Sequence, residues 1–308
     1  MTSLAIRGDS LIKRFNSFTA VKDVSIAVKE GEFFGFLGPN GAGKTTTIRL
    51  LTGILPPDSG SVEIAGIDLF SHPLSAKMLM GVIPEHSTVY GDLTPVQNLN
   101  LVAKFYRMGT RERDERIREL IPRLGLSDHQ KRPVRVFSKG MKQRVSIGCA
   151  ILHRPKVLFL DEPTEGLDVQ SRRLIIDIMR ELRAEGTTIF LTTHNIEEAS
   201  TLCQRVAIIN KGSLIAVERP EILKHTFETI KSVQVSFSHD VPSRLLENEH
   251  VSRISLSGDK FILYTSNPDA VVKEIVYLAD QEDLTITSLQ ISGPSLEEVF
   301  LHLTGGNE

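Results

Sequence analysis

From Ser10 to Val28 apolar residues alternate with polar ones: Leu11, Phe15, Phe18, Val21, Val24, Ile26 and Val28 stand among charged and hydroxyl side chains. That rhythm predicts extended chain with one covered face. Lys29-Glu30-Gly31-Glu32 turns into Glu32–Leu37, a short apolar run that predicts a buried strand. Thr45–Thr52 predicts a helix that Gly53 closes. Leu55-Pro56-Pro57-Asp58-Ser59-Gly60 breaks the chain, and Ser61–Ile67 returns as a strand with a turn at Gly66. Met80–His86 begins as another short strand and ends in a polar loop.

The period then becomes helical, from Thr94 to about Arg132. Thr94 and Pro95 suit the cap and first position, and Asn98, Leu101, Val102 and Phe105 suit one face. A charged helix is predicted over Arg111–Leu124, interrupted or kinked near Pro122. Val134–Ile151 ends in an apolar helix holding Val145, Ile147 and Cys149. Lys156–Glu162 is an apolar strand ending in two carboxylates, and Arg172–Glu185 an amphipathic helix. Thr187–Thr192 is a strand with Thr193-His194 at its end, and Ile196–Cys203 is a helix. Arg205–Asn210 and Ser213–Val217 form a hairpin turned at Lys211-Gly212.

After a connecting helix near Pro220–Phe227 the grammar changes. A strand (Ser232–Phe237), a short helix (Pro242–Asn248), a hairpin (Val251–Leu256 and Lys260–Thr265), a helix (Pro268–Leu278) and a strand (Leu284–Ile291) follow. That order, β-α-β-β-α-β, is the split βαβ arrangement of a small α+β domain. A last helix, Ser295–Leu303, opens on a capping box at Ser295-Leu296-Glu297-Glu298, before a tail from Thr304 expected to fray. Charge changes at the same place. Residues from Phe227 onward carry 5 Lys/Arg and 13 Asp/Glu, net −8, and the rest 31 and 25, net +6. The expected boundary therefore separates residues 1–226 from 227–308. The basic part suits nucleotides or an anionic membrane surface, and equally a solvated surface of mixed charge.

Composition narrows the class. With 41% hydrophobic and 24% charged residues the chain reads as globular. No apolar run reaches the roughly 18–20 residues that span a bilayer, and no secretory signal is visible. Cys149 and Cys203 suit buried reduced thiols of a cytosolic protein, and no Cys/His cluster has metal-ligand spacing. The run Arg111–Arg116 mixes signs without aromatics, so it reads as a solvated helix face rather than a nucleic-acid contact.

Gly38-Pro39-Asn40-Gly41-Ala42-Gly43-Lys44-Thr45 fits the phosphate-loop pattern, between a predicted strand and a predicted helix. Glycines let successive N–H groups face one concavity, and the helix adds its positive dipole end. Lys44 is expected to reach the outer phosphates and Thr45 to ligate Mg²⁺. The alternative is an ordinary glycine-rich turn. Asp161 and Glu162, at the carboxyl end of a buried strand, stand where open α/β sheets bind ligands. They could also be solvated strand-end charges, and His194 a helix cap.

A phosphate loop, the signature Phe137-Ser138-Lys139-Gly140-Met141-Lys142-Gln143, an Asp-Glu-ended strand and a strand-end histidine follow in that order. Together they resemble the ATP-binding subunit of ABC transporters over residues from about 4 to 225. The stretch FGFLGPNGAGKTTT and the closing Gly293-Pro294-Ser295-Leu296-Glu297-Glu298-Val299-Phe300 resemble the branch serving drug, lipid, polysaccharide and sodium export. The resemblance implies an α/β P-loop core with an antiparallel β subdomain and a helical subdomain at about 94–155.

It also implies roles. Gly38, Asn40, Gly41, Ala42, Gly43, Lys44, Thr45 and Thr46 would hold the phosphates of ATP and Mg²⁺; Asp161 would support the metal. Glu162 would activate the attacking water, and His194 would sense the γ-phosphate. Phe15 would stack on adenine, unless it is merely a core or strand residue. Ser138 and Gly140 would cap the nucleotide of a second ATPase subunit, with Glu165-Gly166-Leu167-Asp168 crossing the interface. Glu85 stands where the family usually has Gln; it is expected to bear on catalysis or Mg²⁺ and to act as a hinge towards a membrane partner. The implied protein is peripheral on the inner face of the membrane, paired as a homodimer or with a related subunit, and bound to an integral membrane permease. An importer ATPase, a soluble non-transport ATPase and an ATP-binding regulatory module are the rival readings.

Overall fold

The computed structural model describes residues 3–85, 88–226, 231–239, 241–293 and 296–304, which divide into two compact units, 1–218 and 219–308. The first unit opens with an antiparallel hairpin, β1 (Leu4–Phe15) and β2 (Phe18–Lys29), turned at Asn16 with φ 53°. The strand starts at Leu4, ahead of the visible alternation. Ala5 and Ile6 are buried side by side and register shifts interrupt the pairing, so the two-residue rhythm loses phase. β3 (Phe33–Leu37) is buried throughout and leads through the glycine loop to α1 (Lys44–Leu51). Gly53, at φ 65°, closes α1 as expected. β4 (Ser59–Ile64) and β5 (Ile67–Asp68) complete an antiparallel sheet of order β2-β1-β4-β5.

The short helix α2 (Pro73–Lys77) precedes β6 (Met80–Ile83). Three helices follow: α3 (Pro95–Phe105), α4 (Thr110–Arg123) and α5 (Lys139–Ile151). The chain then alternates through β7 (Val157–Asp161), α6 (Val169–Ala184), β8 (Thr188–Thr193), α7 (Ile196–Leu202), β9 (Arg205–Asn210) and β10 (Ser213–Glu218). The second sheet has the order β10-β9-β3-β8-β7-β6 and is parallel except for the β9–β10 hairpin. Its parallel core gathers the carboxyl ends of β3, β6, β7 and β8 on one side, where ligands bind in such sheets. One core cluster joins Ile6, Leu11 and Val24 of the hairpin to Ile48 and Leu51 of α1 and Phe34, Phe36 and Phe159 of the parallel sheet. The Phe190 ring lies 5.6, 5.6 and 5.5 Å from those of Phe34, Phe36 and Phe159. This packing fixes α1, and with it the glycine loop, against the sheet.

Three local expectations need correction. The buried face of α3 is Pro95, Asn98, Leu99 and Ala103, whereas Phe105 is 67% exposed. The Asn98 amide is buried because it bonds the Tyr90 and Thr94 carbonyls. Pro122 lies in the last turn of α4, where its missing N–H forfeits only the bond to the Arg118 carbonyl, and the helix still runs to Arg123. The charged run has an Arg111–Glu115 pair at i,i+4, but Arg116 is buried, bonded to Glu119 and to the Ile151 and Leu152 carbonyls.

The second unit begins at α8 (Pro220–Thr226), which packs on α10 (Leu296–Thr304), so the compact division falls at 218/219 rather than 226/227. Between them lie β11 (Lys231–Phe237), β12 (Arg253–Ser257), β13 (Lys260–Thr265), α9 (Pro268–Gln281) and β14 (Ile286–Ser292). The sheet order is β12-β13-β11-β14, antiparallel throughout. This is the arrangement the split βαβ order produces, with one change. The helix expected at Pro242–Asn248 is only a 3-10 turn, Ser243–Leu245, and Leu246 alone carries it into the core. Asn267 caps α9, and Val271 and Ile275 pack on Val233, Val235 and Leu263. His86, Phe227, Ser295 with its capping box, and the tail after Thr304 lie outside the described residues.

Candidate active site

Gly41 and Gly43 take φ of 79° and 108°, a region that disfavours any other residue. A Cβ on Gly43 would lie 2.7 Å from the Ala20 carbonyl oxygen. No side chain caps α1, so its first N–H groups face the loop's concavity as an anion site. Within the loop Gly38 and Ala42 are buried, Asn40 and Gly41 exposed, and Thr45 and Thr46 half-buried. The Lys44 side chain is only 7% exposed. Its Nζ donates to the Gly38 and Pro39 carbonyls at 2.7 and 3.3 Å and lies 3.4 Å from Glu162 Oε1.

Asp161 ends β7 beside Thr192 of β8. The Thr192 hydroxyl donates to Asp161 Oδ1, and the Thr45 hydroxyl also acts to lower the pKa of this carboxylate. Burial raises the Asp161 pKa above the usual carboxylate range; the two hydroxyls oppose the shift, and the charges of Glu162 and Glu85 add to it. Glu162 then takes a left-handed backbone, φ 50°, a conformation that costs a non-glycine residue about 1–3 kcal/mol. Its N–H donates to the Thr192 carbonyl and hydroxyl at 3.1 and 3.2 Å, which holds the turn. The turn aims the carboxylate across the strand ends. There Glu162 Oε2 accepts from His194 Nδ1 at 2.7 Å and from the His194 N–H at 3.3 Å.

An ionised carboxylate only accepts, so Nδ1 of His194 carries the ring proton in this pair. Asn195, not His194, caps α7, through its bond from the Glu198 N–H at 2.8 Å. Glu85, exposed just beyond β6, reaches this group through its charge on Asp161. The fold thus gathers Lys44, Thr45, Glu85, Asp161, Glu162 and His194 from four loops.

The other candidates stand apart. Phe15, at the end of β1, is 46% exposed with Lys13 Nζ 6.0 Å from its ring centroid, so it is no core residue. Ser138 is the exposed N-cap of α5 and accepts from the Met141 N–H at 3.2 Å. Gly140 is buried against α6: a Cβ there would fall 2.2 Å from Ser171 Oγ. Neither bonds the Lys44–Glu162 group among the described residues. Sequence reasoning missed Thr192, which braces both carboxylate residues, and Glu198. Buried Glu198 accepts from Thr164 at 2.9 Å and Thr193 at 3.4 Å, tying the loop after Glu162 to the end of β8. Their only sequence signal was a pair of threonines just before His194.

Residues 21–165 match the family model described as "ABC transporter". The chain is 34% identical to the Linearmycin resistance ATP-binding protein LnrL of Bacillus subtilis (strain 168), an alignment covering 97% of this chain and 98% of that protein. This chain belongs to the ABC transporter ATP-binding protein family. It is also 35% identical to the Nod factor export ATP-binding protein I of Ralstonia nicotianae (strain ATCC BAA-1114 / GMI1000), over 96% of this chain and 92% of the relative. A solved structure of the ATP binding subunit of an ABC transporter superposes with a TM-score of 0.68 at 31% identity, covering 72% of this chain and 93% of that one. The protein is therefore a P-loop ATPase that binds and hydrolyses ATP as the ATP-binding component of an ABC transporter.

Proposed function

We propose that this ATPase works as one of a pair of cassettes on the inner face of a membrane and drives a separate integral membrane permease in export. The catalytic part rests on one observation: the Glu162 carboxylate stands between His194 Nδ1 and Lys44, in a strained turn beside the phosphate loop. Export rests on the relatives, named for resistance and for Nod factor export. No helix among the described residues is long and apolar enough to cross a membrane, and in this reading the permease supplies the span. An open groove of about 500 Å³, lined by Leu74, Met78, Val82, Val102, Phe105 and Tyr106, offers that partner an apolar seat on the helical region.

In this reading the N–H groups of Gly38, Asn40, Gly41, Ala42, Gly43, Lys44, Thr45 and Thr46 hold the phosphates, and Lys44 neutralises the outer ones. The oxygens of Thr45, Asp161 and Glu85 fit Mg²⁺, a hard cation that keeps octahedral oxygen ligands. Glu162 and Glu85 both bear electrostatically on Asp161, and only Glu162 is paired with Lys44, so a divalent cation would relieve the repulsion among the carboxylates. When bound, Mg²⁺ withdraws charge from the phosphates. Glu162 takes the proton of the in-line water, while His194 orients that carboxylate and senses the γ-phosphate. Phe15 offers adenine a ring face. Ser138 and Gly140, remote from their own chain's carboxylates, cap the nucleotide of the second cassette.

Mild-detergent purification from the native membrane tests the partnership: the chain is expected to bring a polytopic membrane protein with it. Recovery without any such protein, while ATP still turns over, would favour a soluble ATPase. A second test concerns Glu85. Glu85→Gln keeps the shape and removes a charge near Asp161, so ATPase activity is expected to persist with a shifted Mg²⁺ optimum. Glu85→Ala is expected to uncouple hydrolysis from transport. Identical Mg²⁺ titrations together with normal transport by Glu85→Ala would make Glu85 a bystander.

A further inference from the structure

Glu198 is buried, and no step of the proposed hydrolysis uses it. It stands third in α7, behind the cap Asn195. A glutamate at that position ordinarily turns back to the N–H of the cap residue. Here the Asn195 N–H donates instead to the Thr193 hydroxyl at 2.9 Å. The Glu198 carboxylate is turned the other way. Its Oε2 accepts from the hydroxyl of Thr164, 34 residues away in the chain, at 2.9 Å, and from that of Thr193 at 3.4 Å. Glu198 is therefore more than a brace of its own helix.

The two hydroxyls flank the Glu162–His194 pair along the chain. Thr164 comes just after Glu162, in a turn closed by the Glu165 N–H on the Glu162 carbonyl at 3.2 Å. Thr193 directly precedes His194 at the end of β8. One carboxylate oxygen thus ties together the two chain segments whose side chains pair at 2.7 Å. The other oxygen, Oε1, is buried and has no hydrogen-bond partner among the described residues. Burial raises the pKa of this carboxyl; the Thr164 hydroxyl, the Arg172 charge and the Thr193 hydroxyl oppose the shift, and the Glu162 charge adds to it. A carboxyl buried with one oxygen unpaired weakens a fold, and apolar groups of the same shape would hold these segments without that penalty. Such a departure from the rules of stable packing is a mark of functional sites.

We infer that Glu198 is a positioning residue for hydrolysis: through Thr164 and Thr193 it fixes the two segments that carry Glu162 and His194, and so holds the general base in its orientation. This role rests on Glu162 being that base, and adds a residue outside the nucleotide and Mg²⁺ contacts of that reading. The left-handed backbone at Glu162, φ 50°, explains why a brace is needed, because a strained turn persists only where its surroundings hold it. Thr192 holds the near side, accepting from the Glu162 N–H. Beyond Glu162 the Thr164–Glu198–Thr193 bonds tie the chain back to β8. Without them the base is free to shift. A displacement of about 1 Å can slow a reaction by about a hundredfold. Phosphate binding is set by the glycine loop and Lys44, which Glu198 does not touch among the described residues.

The test measures turnover and stability together in the full chain. Glu198→Leu removes both acceptor oxygens; combining it with Thr164→Val also removes the hydroxyl that would lose its acceptor. The double variant is expected to melt no lower than wild type, because an apolar pair replaces a buried polar one. Its kcat is expected to fall at least about tenfold, with KM for ATP within about twofold. Glu198→Gln keeps an acceptor oxygen at the same length and is expected to recover most of the rate. A role confined to stability predicts the reverse, a lower Tm with normal kcat in the folded fraction, and that result overturns the inference. A Glu198→Gln rate no higher than that of Glu198→Leu does the same. Should the double variant fail to fold, Thr164→Val alone, an isosteric change, is expected to lower kcat at least about threefold at unchanged KM, and normal kcat there overturns the inference. Glu162→Gln is measured beside them. If it turns over normally, there is no base at 162 to position and both readings fall. If it is slow while the double variant is fast, only the role of Glu198 falls.

Discussion

Glu162→Gln is expected to bind ATP and to hydrolyse it at least about 100-fold more slowly, the scale of a lost general base. The amide keeps the length of the side chain and one oxygen to accept from His194, so the left-handed turn at 162 and its bonds to Thr192 persist. What disappears is a basic oxygen and a negative charge beside Lys44. Binding is expected to survive, because in the proposed arrangement the phosphates rest on the glycine loop and Lys44 rather than on Glu162. Losing a carboxylate that faces the γ-phosphate even favours the ATP-bound state. Two cassettes should then remain closed on unhydrolysed ATP, seen as an ATP-dependent dimer on size exclusion and as lost phosphate release in single turnover. A variant that turns over at the normal rate would place the base elsewhere.

Lys44→Ala attacks the other half of the site. Its ammonium is buried, and its present acceptors are two carbonyls and the Glu162 carboxylate. Phosphate oxygens are stronger, charged acceptors. Removing the lysine deletes that counter-charge and leaves the carboxylates of Asp161 and Glu162 facing incoming ATP. Truncating one member of a buried charge pair costs about 2–5 kcal/mol, so ATP affinity should fall by at least about thirtyfold, with turnover lost. Equilibrium binding of a fluorescent ATP analogue and steady-state phosphate release measure the two effects separately. Unchanged hydrolysis in the purified variant would remove the phosphate-loop assignment.

Much of this was legible along the chain. The glycine loop, its strand and its helix are contiguous, and the geometry follows from local causes: positive φ at Gly41 and Gly43, and an uncapped helix start at Lys44. The order of elements in the second unit also agreed with its sequence grammar, although only the β12–β13 hairpin is local and β11 pairs with β13 and β14 at long range. Errors arose where long-range packing overrode local pattern. Phe105 looked like a core residue by period but lines an open groove, and Arg116 looked solvated but is sheltered by carbonyls contributed by α5 and the residue after it. The helix expected at Pro242–Asn248 shrank to one turn because only Leu246 joins the core.

The sequence by itself determined the phosphate loop, the two carboxylates at a strand end, the strand-end histidine and the change of architecture after the hairpin of β9 and β10. Each is written in residues adjacent in the chain, where backbone sterics and period decide the outcome. Only the tertiary structure decided that these pieces meet. The strand order β3-β8-β7-β6 brings residues 44, 162 and 194 within bonding reach and sets Thr192 beneath both carboxylates. Neither strand order nor the left-handed turn at Glu162 has a local signal. Both follow from which hydrophobic faces pack together once the chain has folded.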